Sequence, residues 1–413
     1  MKTKTLYTFL SLLLAMLLFV SCGEDRTHEY LEKTEENQWI YSKMKDVYLW
    51  GNTMAKPDRS SFFTTTSKFF TSLLARNDKV SFFTDSVPGY NYGLKFSLMR
   101  DPLGEAMSQY YALALHVEPG SPADSAGIKR GTWISALNGK ALNSSSGKLL
   151  QSGTATKVAT AVIDYDDENG KYFWVNGDTL SMPQACTVES SAVYLDSIYN
   201  VRTYKVGYIV LRSMSGSAFT EEIPEILLGF AAEDVSDVII DLRYCNEGTI
   251  DNAAVMAGAF VPNTLAGKPF ATLKGREEVV DTIYNFAAPV VNLSDKRLFL
   301  ITGKDTKGAA ELFVESVNVS RDMHDVMIVG TNSSGANVFT RKYTSPYGFS
   351  INPAVATMFS SADIELTTTG IIPDFPIDEL EEGKIVYPLG NRREYILRNL
   401  EYFIVNDSLP SGL

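Results

Sequence analysis

The chain has 413 residues, of which 45% are hydrophobic and 21% are charged, and it carries a formal net charge of −12. This length and hydrophobic content are enough to bury more than one core, so two or three domains are expected. Because phosphate binding needs a basic face, the acidic balance argues against a nucleic-acid partner.

The N-terminal segment predicts an export signal. Lys2 and Lys4 precede a continuous apolar run over residues 10–20, which Ser21 and Cys22 follow. A charged region, an apolar region and a small-residue cleavage site in this order are typical of a secretory signal peptide. The run is short for a transmembrane span, which favours a segment that is cleaved.

Val20-Ser21-Cys22 resembles a bacterial lipobox, although Phe19 stands where leucine is usual. The resemblance implies that residues 1–21 are removed and that Cys22 receives a diacylglyceryl group. The alternative is an ordinary secretory signal with an incidental cysteine. Lipidation would anchor the protein to a membrane of the bacterial cell envelope, and we expect the outer membrane, on either its periplasmic or its surface face.

Only Cys186 and Cys245 remain once Cys22 carries lipid. Two cysteines are too few for a disulfide framework, and we expect both to be free thiols.

Residues 22–87 predict a small helical cap. Hydrophobic residues recur at helical spacing around Trp39, Met44 and Tyr48, and phenylalanine pairs follow at 62–63 and 69–70. Such stripes usually face a core, and a ligand-binding aromatic box is the less common alternative.

Residues 88–200 read as short strands, glycines and turns, and their first part resembles a PDZ domain. The resemblance rests on Tyr92-Gly93-Leu94-Lys95-Phe96, on the segment 117–132 with its repeated glycines, and on the strand and turn over 134–139. After residue 156 the chain predicts a β-rich bridge with turns at 166–170 and 176–178.

The PDZ resemblance implies a peptide-binding role. Gly93, Leu94, Lys95 and Phe96 would form the loop whose backbone N–H groups receive a peptide's C-terminal carboxylate, while the peptide adds as a strand to the sheet edge. A glycine allows the backbone to turn close to an anion. The alternative is a PDZ-shaped spacer that binds nothing, because fold alone does not establish function.

Residues 201–390 predict an α/β layer architecture. Continuous apolar runs at 206–211, 238–242, 298–302 and 326–330 are typical of buried strands, and 221–232 and 253–259 fit helices between them. Alternating strands and helices of this kind predict a sheet covered by helices. Residues 391–413 predict a C-terminal helix and tail.

From about Trp39 to Tyr387 the chain resembles the tail-specific, or C-terminal processing, peptidases of the S41 type. The landmarks are Lys205-Val206-Gly207-Tyr208, Asp241-Leu242-Arg243-Tyr244, the segment 306–312, the segment 329–338, and the closing segments 348–351 and 370–374. The resemblance implies a crotonase-like α/β core, preceded by a PDZ-like domain and a helical cap.

The same alignment implies that the catalytic dyad is missing. The family's nucleophilic serine falls on Gly308, and the lysine that should act as its base falls on Ala336. A serine hydroxyl needs an adjacent base to become nucleophilic, and a desolvated lysine supplies it in such dyads. Neither side chain present here has a hydroxyl or an amine.

A third departure affects the turn that should form the oxyanion hole. The family continues Asn-Pro-Gly-Gly where this chain has Cys245-Asn246-Glu247-Gly248, so one glycine of the pair is lost and Gly248 is kept. That turn aims a backbone N–H at the developing oxyanion. Its replacement makes acyl transfer by the family's route doubtful.

Relocated chemistry is the alternative. Lys307, Ser333, Ser334 and Cys245 lie close in sequence to the lost positions, but neighbours on a helix point about 100° apart, and a cysteine would need a base. None of the histidines, at 28, 116 and 324, is an obvious partner. Their scatter and the absence of a zinc-type spacing predict no metal site, and no cofactor is expected.

The sequence therefore predicts a lipid-anchored envelope protein with the S41 peptidase fold that binds protein or peptide C-termini without cleaving them. One alternative is an active serine-type endopeptidase with a displaced nucleophile. Another is a structural envelope lipoprotein.

Overall fold

The structure is a computed structural model that describes residues 27–85, 89–104, 108–151, 153–154, 156–188, 191–276, 281–321, 325–380 and 385–410. The predicted signal segment, Cys22 and His324 lie outside the described residues. Among the residues described, no helix combines the length and apolar character that crossing a membrane requires.

The helices are α1 (Thr27–Val47), α2 (Thr66–Leu73), α3 (Pro122–Ser125), α4 (Gly147–Gln151), α5 (Gly216–Ala232), α6 (Ile250–Gly258), α7 (Ala309–Asn318) and α8 (Tyr395–Asn406), with 3-10 helices at Gly51–Thr53, Arg59–Phe63 and Asn263–Leu265. The strands are β1 (Phe82–Thr84), β2 (Leu94–Arg100), β3 (Tyr110–Val117), β4 (Trp133–Leu137), β5 (Lys140–Ala141), β6 (Lys157–Asp166), β7 (Lys171–Ser181), β8 (Val193–Val201), β9 (Tyr204–Leu211), β10 (Ser213–Met214), β11 (Asp237–Asp241), β12 (Glu247–Gly248), β13 (Pro269–Lys274), β14 (Thr282–Asn285), β15 (Arg297–Thr302), β16 (Val326–Gly330), β17 (Val338–Thr340), β18 (Tyr343–Thr344), β19 (Ser350–Asn352), β20 (Ala354–Ser360) and β21 (Phe375–Pro376).

The chain forms two compact units, and the first combines the residues up to Thr84 with residues 342–353. Ile40 and Met44 lie on one face of α1 and are fully buried, as is Tyr48 just after the helix, because side chains four residues apart share one face of a helix. Antiparallel pairing joins β1 to β19 and β19 to β18. Leu49 and Trp50 follow the helix in a turn, in which Gly51 N donates to Tyr48 O at 2.8 Å.

The second unit contains a six-stranded sheet in the order β21-β16-β15-β11-β9-β8. All neighbouring pairs are parallel except β8 with β9. Helices α5, α6 and α7 cover one face and α8 covers the other, so side chains along each strand alternate between two cores. This burial on both faces explains why the strands read as continuous apolar runs. The predicted α/β layers are confirmed.

The β domain, residues 91–188, belongs to the same unit and has the strand order β2-β3-β4-β6-β7, with β5 beside β4. The chain enters and leaves it at one point, where Asn91 and Cys186 exchange backbone hydrogen bonds of 2.9 and 3.2 Å. All neighbouring strands are antiparallel.

One predicted turn of the β domain is wrong. The segment 176–178 lies inside β7, where the pairing register with β6 shifts between Ala159 and Ala161. A Cβ on Gly177 would stand 2.4 Å from Thr160 Oγ1. The glycine therefore serves a bulge with a close approach between strands, and not a reversal of the chain. The predicted turn at 166–170 does connect the two strands.

Candidate functional site

Three neighbouring strands of the large sheet end at the candidate site. The segments after β11, β15 and β16 lie side by side because these strands are adjacent and parallel. Hydrogen bonds join the segments: Lys307 N donates to Cys245 O at 3.0 Å, and Ser334 N donates to Thr306 O at 2.9 Å. The carboxyl ends of parallel strands are where such folds usually form their crevices.

Gly308 occupies a sharp bend immediately before α7. Its φ is 62° and its ψ is −109°, a combination that a residue with a side chain adopts only under strain. A Cβ built there would meet no atom within 4 Å, so the position is open. The bend would present a side chain into free space, but this chain has none to present.

Glu311 holds the candidate site together through its carboxylate, which is 1% exposed. Oε2 accepts from Gly308 N at 2.9 Å and from Ala336 N at 3.0 Å. Oε1 accepts from Gly335 N at 2.7 Å and from Ser333 Oγ at 2.5 Å. Four donors satisfy a buried carboxylate without a cationic partner. The motif alignment alone assigns Glu311 no role.

Ala336 is 2% exposed and contributes a methyl group and a backbone amide. The preceding Gly335 has a φ of +76°, and a Cβ there would stand 2.3 Å from Thr368 O. The loop is therefore packed tightly where the motif places a lysine. The structure brings the backbone amides of Gly308 and Ala336 to one oxygen of the Glu311 carboxylate.

Gly248 approaches the same point from the turn after β11. A Cβ on Gly248 would lie 2.8 Å from the Met214 Cβ and 3.0 Å from the Ala309 Cβ. Ala309 is the first residue of α7, so all three motif positions converge at the start of this helix. Only a glycine fits at this contact.

The side chains nearest to the lost positions are poorly suited to replace the nucleophile. Cys245 is fully buried, and burial raises the pKa of its thiol to about 12. Because the thiolate is the reactive form, Cys245 is inert at neutral pH. Ser333 Oγ donates to Glu311 and accepts from Ile371 N at 2.7 Å, so its hydroxyl is already committed.

His116 lies in the β domain and is 2% exposed. Its Nε2 stands 2.9 Å from Glu118 Oε2, its ring packs edge-on against Tyr194, and burial lowers its pKa. It is therefore a buried structural histidine. Within the described part of the chain, no cluster of histidine, cysteine and carboxylate side chains is arranged to hold a metal ion. Cys186 is an exposed free thiol and Cys245 a buried one.

Of the four residues predicted to form the carboxylate loop, only Gly93 precedes the edge strand β2, and Leu94, Lys95 and Phe96 are the first three residues of that strand. Gly93 has a φ of +65°, and its amide donates to Asn91 Oδ1 at 2.7 Å. Leu94 and Phe96 are half-buried, and the ring of Phe96 lies near Gly147 at the start of α4. The Lys95 side chain reaches the segment before α7, because its Nζ pairs with Asp305 Oδ2 at 2.5 Å. Lys95 and Asp305 line one cleft, and Gly308 is not among the described residues that line it.

A buried charge network joins the β domain to the large sheet, and sequence reasoning missed it. Both Arg130 of the β domain and Arg243, two residues after β11, bind Glu379 Oε2. Arg243 also binds Asp241 and, at 2.7 Å, Glu394. Burial alone would raise the pKa of Glu379, but the two guanidinium groups outweigh it and lower that pKa to about 2. These residues lie too far apart in sequence for a local pattern to reveal them.

The sequence and the fold match known proteins of one class. The model of peptidase family S41 matches residues 205–377, and the model of the peptidase S41 N-terminal domain matches residues 35–82. A carboxyl-terminal-processing protease of Picosynechococcus sp. is 23% identical over 269 residues. That match covers 62% of this chain and 58% of the relative, so the chain spans little more than half of that protein's length.

Solved structures agree on the fold. A Bacteroides fragilis protein described as an S41 protease superposes with a TM-score of 0.76 at 23% identity, covering 90% of this chain and 97% of that one. A photosystem II D1 C-terminal processing protease gives a TM-score of 0.52 at 16% identity, covering 84% and 93%. The chain belongs to peptidase family S41.

Proposed function

We propose that this chain is a non-catalytic member of family S41 that binds polypeptide C-termini from a lipid-anchored position in the bacterial envelope. The observation that carries the proposal is the shared contact of Gly308 and Ala336 with Glu311 Oε2. The alignment assigns these positions to a serine and a lysine, and their spatial closeness supports it. With no hydroxyl at one and no amine at the other, the usual acyl transfer has neither nucleophile nor base.

The proposed binding element is the PDZ-like β domain, with Gly93, Leu94, Lys95 and Phe96 as its carboxylate loop. β2 is an outer strand of its sheet within the described residues, so a peptide can pair with it. A cleft of about 330 Å³ lies beside this strand, between Lys95 and Ser97 on one side and Arg243 and Thr302 on the other. Its size falls within the ordinary range for ligand sites.

Calorimetric titration with C-terminal peptides tests this function. A free-acid peptide should bind and its amidated form should not, because carboxylate capture disappears on amidation. Lys95→Glu should weaken binding about tenfold through repulsion of the carboxylate. Lys129→Glu makes the same charge change on a side chain that is 67% exposed elsewhere in the β domain, and it should leave binding unchanged. Binding that ignores amidation contradicts the assignment.

An active serine-type endopeptidase with a displaced nucleophile is the rival enzyme function. A covalent serine- or cysteine-directed probe, followed by mapping of the labelled residue, separates the two. Labelling of one native residue would favour the rival, and no labelling would remove it. A structural lipoprotein is the remaining alternative, and it predicts that neither peptide form binds.

We propose the domain boundaries as well: residues 1–21 are the cleaved signal, 22–87 the cap, 88–200 the PDZ-like region and bridge, and 201–390 the peptidase-like core.

The proposed lipid anchor on Cys22 can be tested separately. Metabolic labelling with an alkyne fatty acid should mark the wild-type chain. Cys22→Ser should abolish the label, while Cys186→Ser should not. Retention of the label in the Cys22 variant would exclude lipidation there.

A further inference from the structure

Two aromatic rings and a guanidinium group form a small surface patch near the beginning of α1. The rings of Tyr30 and Phe63 meet edge-on with their centroids 5.6 Å apart, and the Arg59 guanidinium lies over the Tyr30 ring at 5.2 Å. Phe63 is 57% exposed, and Arg59 is exposed as well. Tyr30, Arg59 and Phe63 are called the aromatic patch below.

The surrounding contacts hold Phe63 on the outside of the first unit. Asn37 Nδ2 donates to Phe62 O and to Thr64 O, both at 2.8 Å, so the backbone on either side of Phe63 is held against α1. The Phe62 ring packs inward, with its centroid 4.8 Å from that of Phe69, which is 1% exposed. Phe63 therefore keeps apolar area that a second surface can still bury.

The length of chain between Cys22 and Tyr30 limits how far the aromatic patch can lie from the proposed lipid. The chain from Cys22 to Thr27, the first residue of α1, spans at most about 18 Å. The step from Thr27 to Tyr30 adds about 5 Å along the helix. Tyr30 therefore lies within about 23 Å of the Cys22 α-carbon. Tethering at such a distance allows even a weak contact with the membrane to be populated.

The chemistry of the aromatic patch matches the interfacial region of a bilayer. Amphipathic aromatic rings accumulate at the level of the lipid headgroups, and a neighbouring cation attracts anionic lipid. Arg59 supplies that cation, although the exposed Asp58 beside it offsets part of the charge. The rings therefore provide the larger share of the contact.

We propose that the aromatic patch docks onto the phospholipid headgroups of the membrane that carries the lipid anchor. Phe63 enters the boundary between headgroups and acyl chains, Tyr30 supports its ring, and Arg59 contacts lipid phosphate. The proposal rests on the lipidation of Cys22 proposed above. Docking adds a second membrane contact to the lipid and determines which side of the first unit faces the bilayer.

Vesicle partitioning tests the docking without relying on lipidation in the cell. The chain from Cys22 onward, carrying Cys186→Ser, is alkylated at Cys22 with a maleimide that bears one myristoyl-length chain, and the buried Cys245 does not compete. One such chain binds membranes only marginally, with a constant on the order of 10⁴ M⁻¹, so a further contact is measurable. On vesicles of phosphatidylcholine and phosphatidylglycerol, Phe63→Ser should lower the partition coefficient about tenfold.

Matched variants separate docking from a general effect of surface substitution. Ile283→Ser should leave the partition coefficient unchanged, because Ile283 is likewise 57% exposed but belongs to the second unit. Phe63→Trp should preserve it, since tryptophan also favours the interface. Arg59→Ser should lower it about fivefold on these vesicles and leave it unchanged on phosphatidylcholine alone. Arg393→Ser, at another exposed arginine, should have little effect on either.

Three results would overturn the proposal: equal effects of Phe63→Ser and Ile283→Ser, loss of partitioning in Phe63→Trp, or an equal effect of Arg59→Ser on both kinds of vesicle. Dimerisation of the unlipidated chain that Phe63→Ser abolishes would assign the aromatic patch to a second copy and also overturn it. Because the acyl chain is attached chemically, these results are independent of the fatty-acid labelling that tests Cys22 itself.

Discussion

The backbone amides of Gly308 and Ala336 donate to the same oxygen, Oε2 of Glu311, at 2.9 and 3.0 Å. The Glu311 carboxylate thereby holds these two positions together through their backbone amides, and no serine or lysine side chain is needed for this contact. The scaffold of the site does not depend on the residues that perform the chemistry. This explains how the chain keeps the S41 architecture while lacking a serine and a lysine there.

Glu311→Gln should destabilise the protein by about 3 kcal/mol. The substitution removes the charge from several hydrogen bonds and turns an amide donor toward backbone donors. Urea unfolding measures the effect. Glu315→Gln, one turn further along α7, should be neutral or stabilising, because burial raises the pKa of Glu315 and disfavours its charged form. Equal losses for the two variants would contradict the role given to Glu311.

Gly308→Ser should cost about 1–3 kcal/mol because of the backbone conformation alone. The built Cβ has no neighbour within 4 Å, so no steric cost is added. Gly229→Ser is the control: Gly229 has an ordinary helical conformation in α5 and is exposed, so that change should be neutral or slightly stabilising. A loss above this range for Gly308→Ser would mean that the position is not open.

Cys245 should be unreactive in the native state. At pH 8 a chromogenic disulfide reagent should titrate one thiol, Cys186, in the Cys22→Ser chain, and a second one only in urea. The reason is that burial raises the pKa of Cys245 to about 12, whereas Cys186 is exposed. Rapid native labelling of the chain that carries both Cys22→Ser and Cys186→Ser would contradict this and make Cys245 a candidate nucleophile again.

Glu379→Gln should lower the free energy of unfolding near neutral pH by on the order of 3 kcal/mol. The figure follows from the pKa of Glu379, which the fold lowers to about 2. A carboxyl whose folded pKa lies below its unfolded value contributes stability above the unfolded pKa and loses it as pH falls. The difference between wild type and variant should therefore shrink from about pH 4.5 toward pH 2. Denaturant unfolding at several pH values measures it. Glu401→Gln, at the exposed pair with Arg392, should cost under about 1 kcal/mol.

Much of the large sheet could be predicted from the sequence. β16 begins and ends at the predicted residues, and β9, β11 and β15 differ by one or two, because strands buried on both faces leave continuous apolar runs. The predicted turn at 176–178 was wrong because the same glycine-containing pattern occurs both in turns and in β-bulges. Only the three-dimensional pairing of β6 with β7 distinguishes them.

The contacts that hold the candidate site together were only partly predictable from the sequence. A glutamate three residues into a helix is a recognised signal for capping, so the contact of Glu311 with Gly308 was within reach of the sequence. Its contacts with Ser333 and Ala336 cross 22 and 25 residues and depend on the adjacency of β15 and β16. The pairing of Arg130 with Glu379 spans 249 residues and leaves no local pattern.

Intact-mass analysis of an unstructured polypeptide incubated with the purified chain tests whether the protein lacks peptidase activity. We expect the substrate mass to stay unchanged, and we expect Gly308→Ser combined with Ala336→Lys to gain at most weak cleavage because the turn at Gly248 also departs from the family. Cleavage by the wild-type chain that disappears when one of its own residues is substituted would show that the protein is an active peptidase.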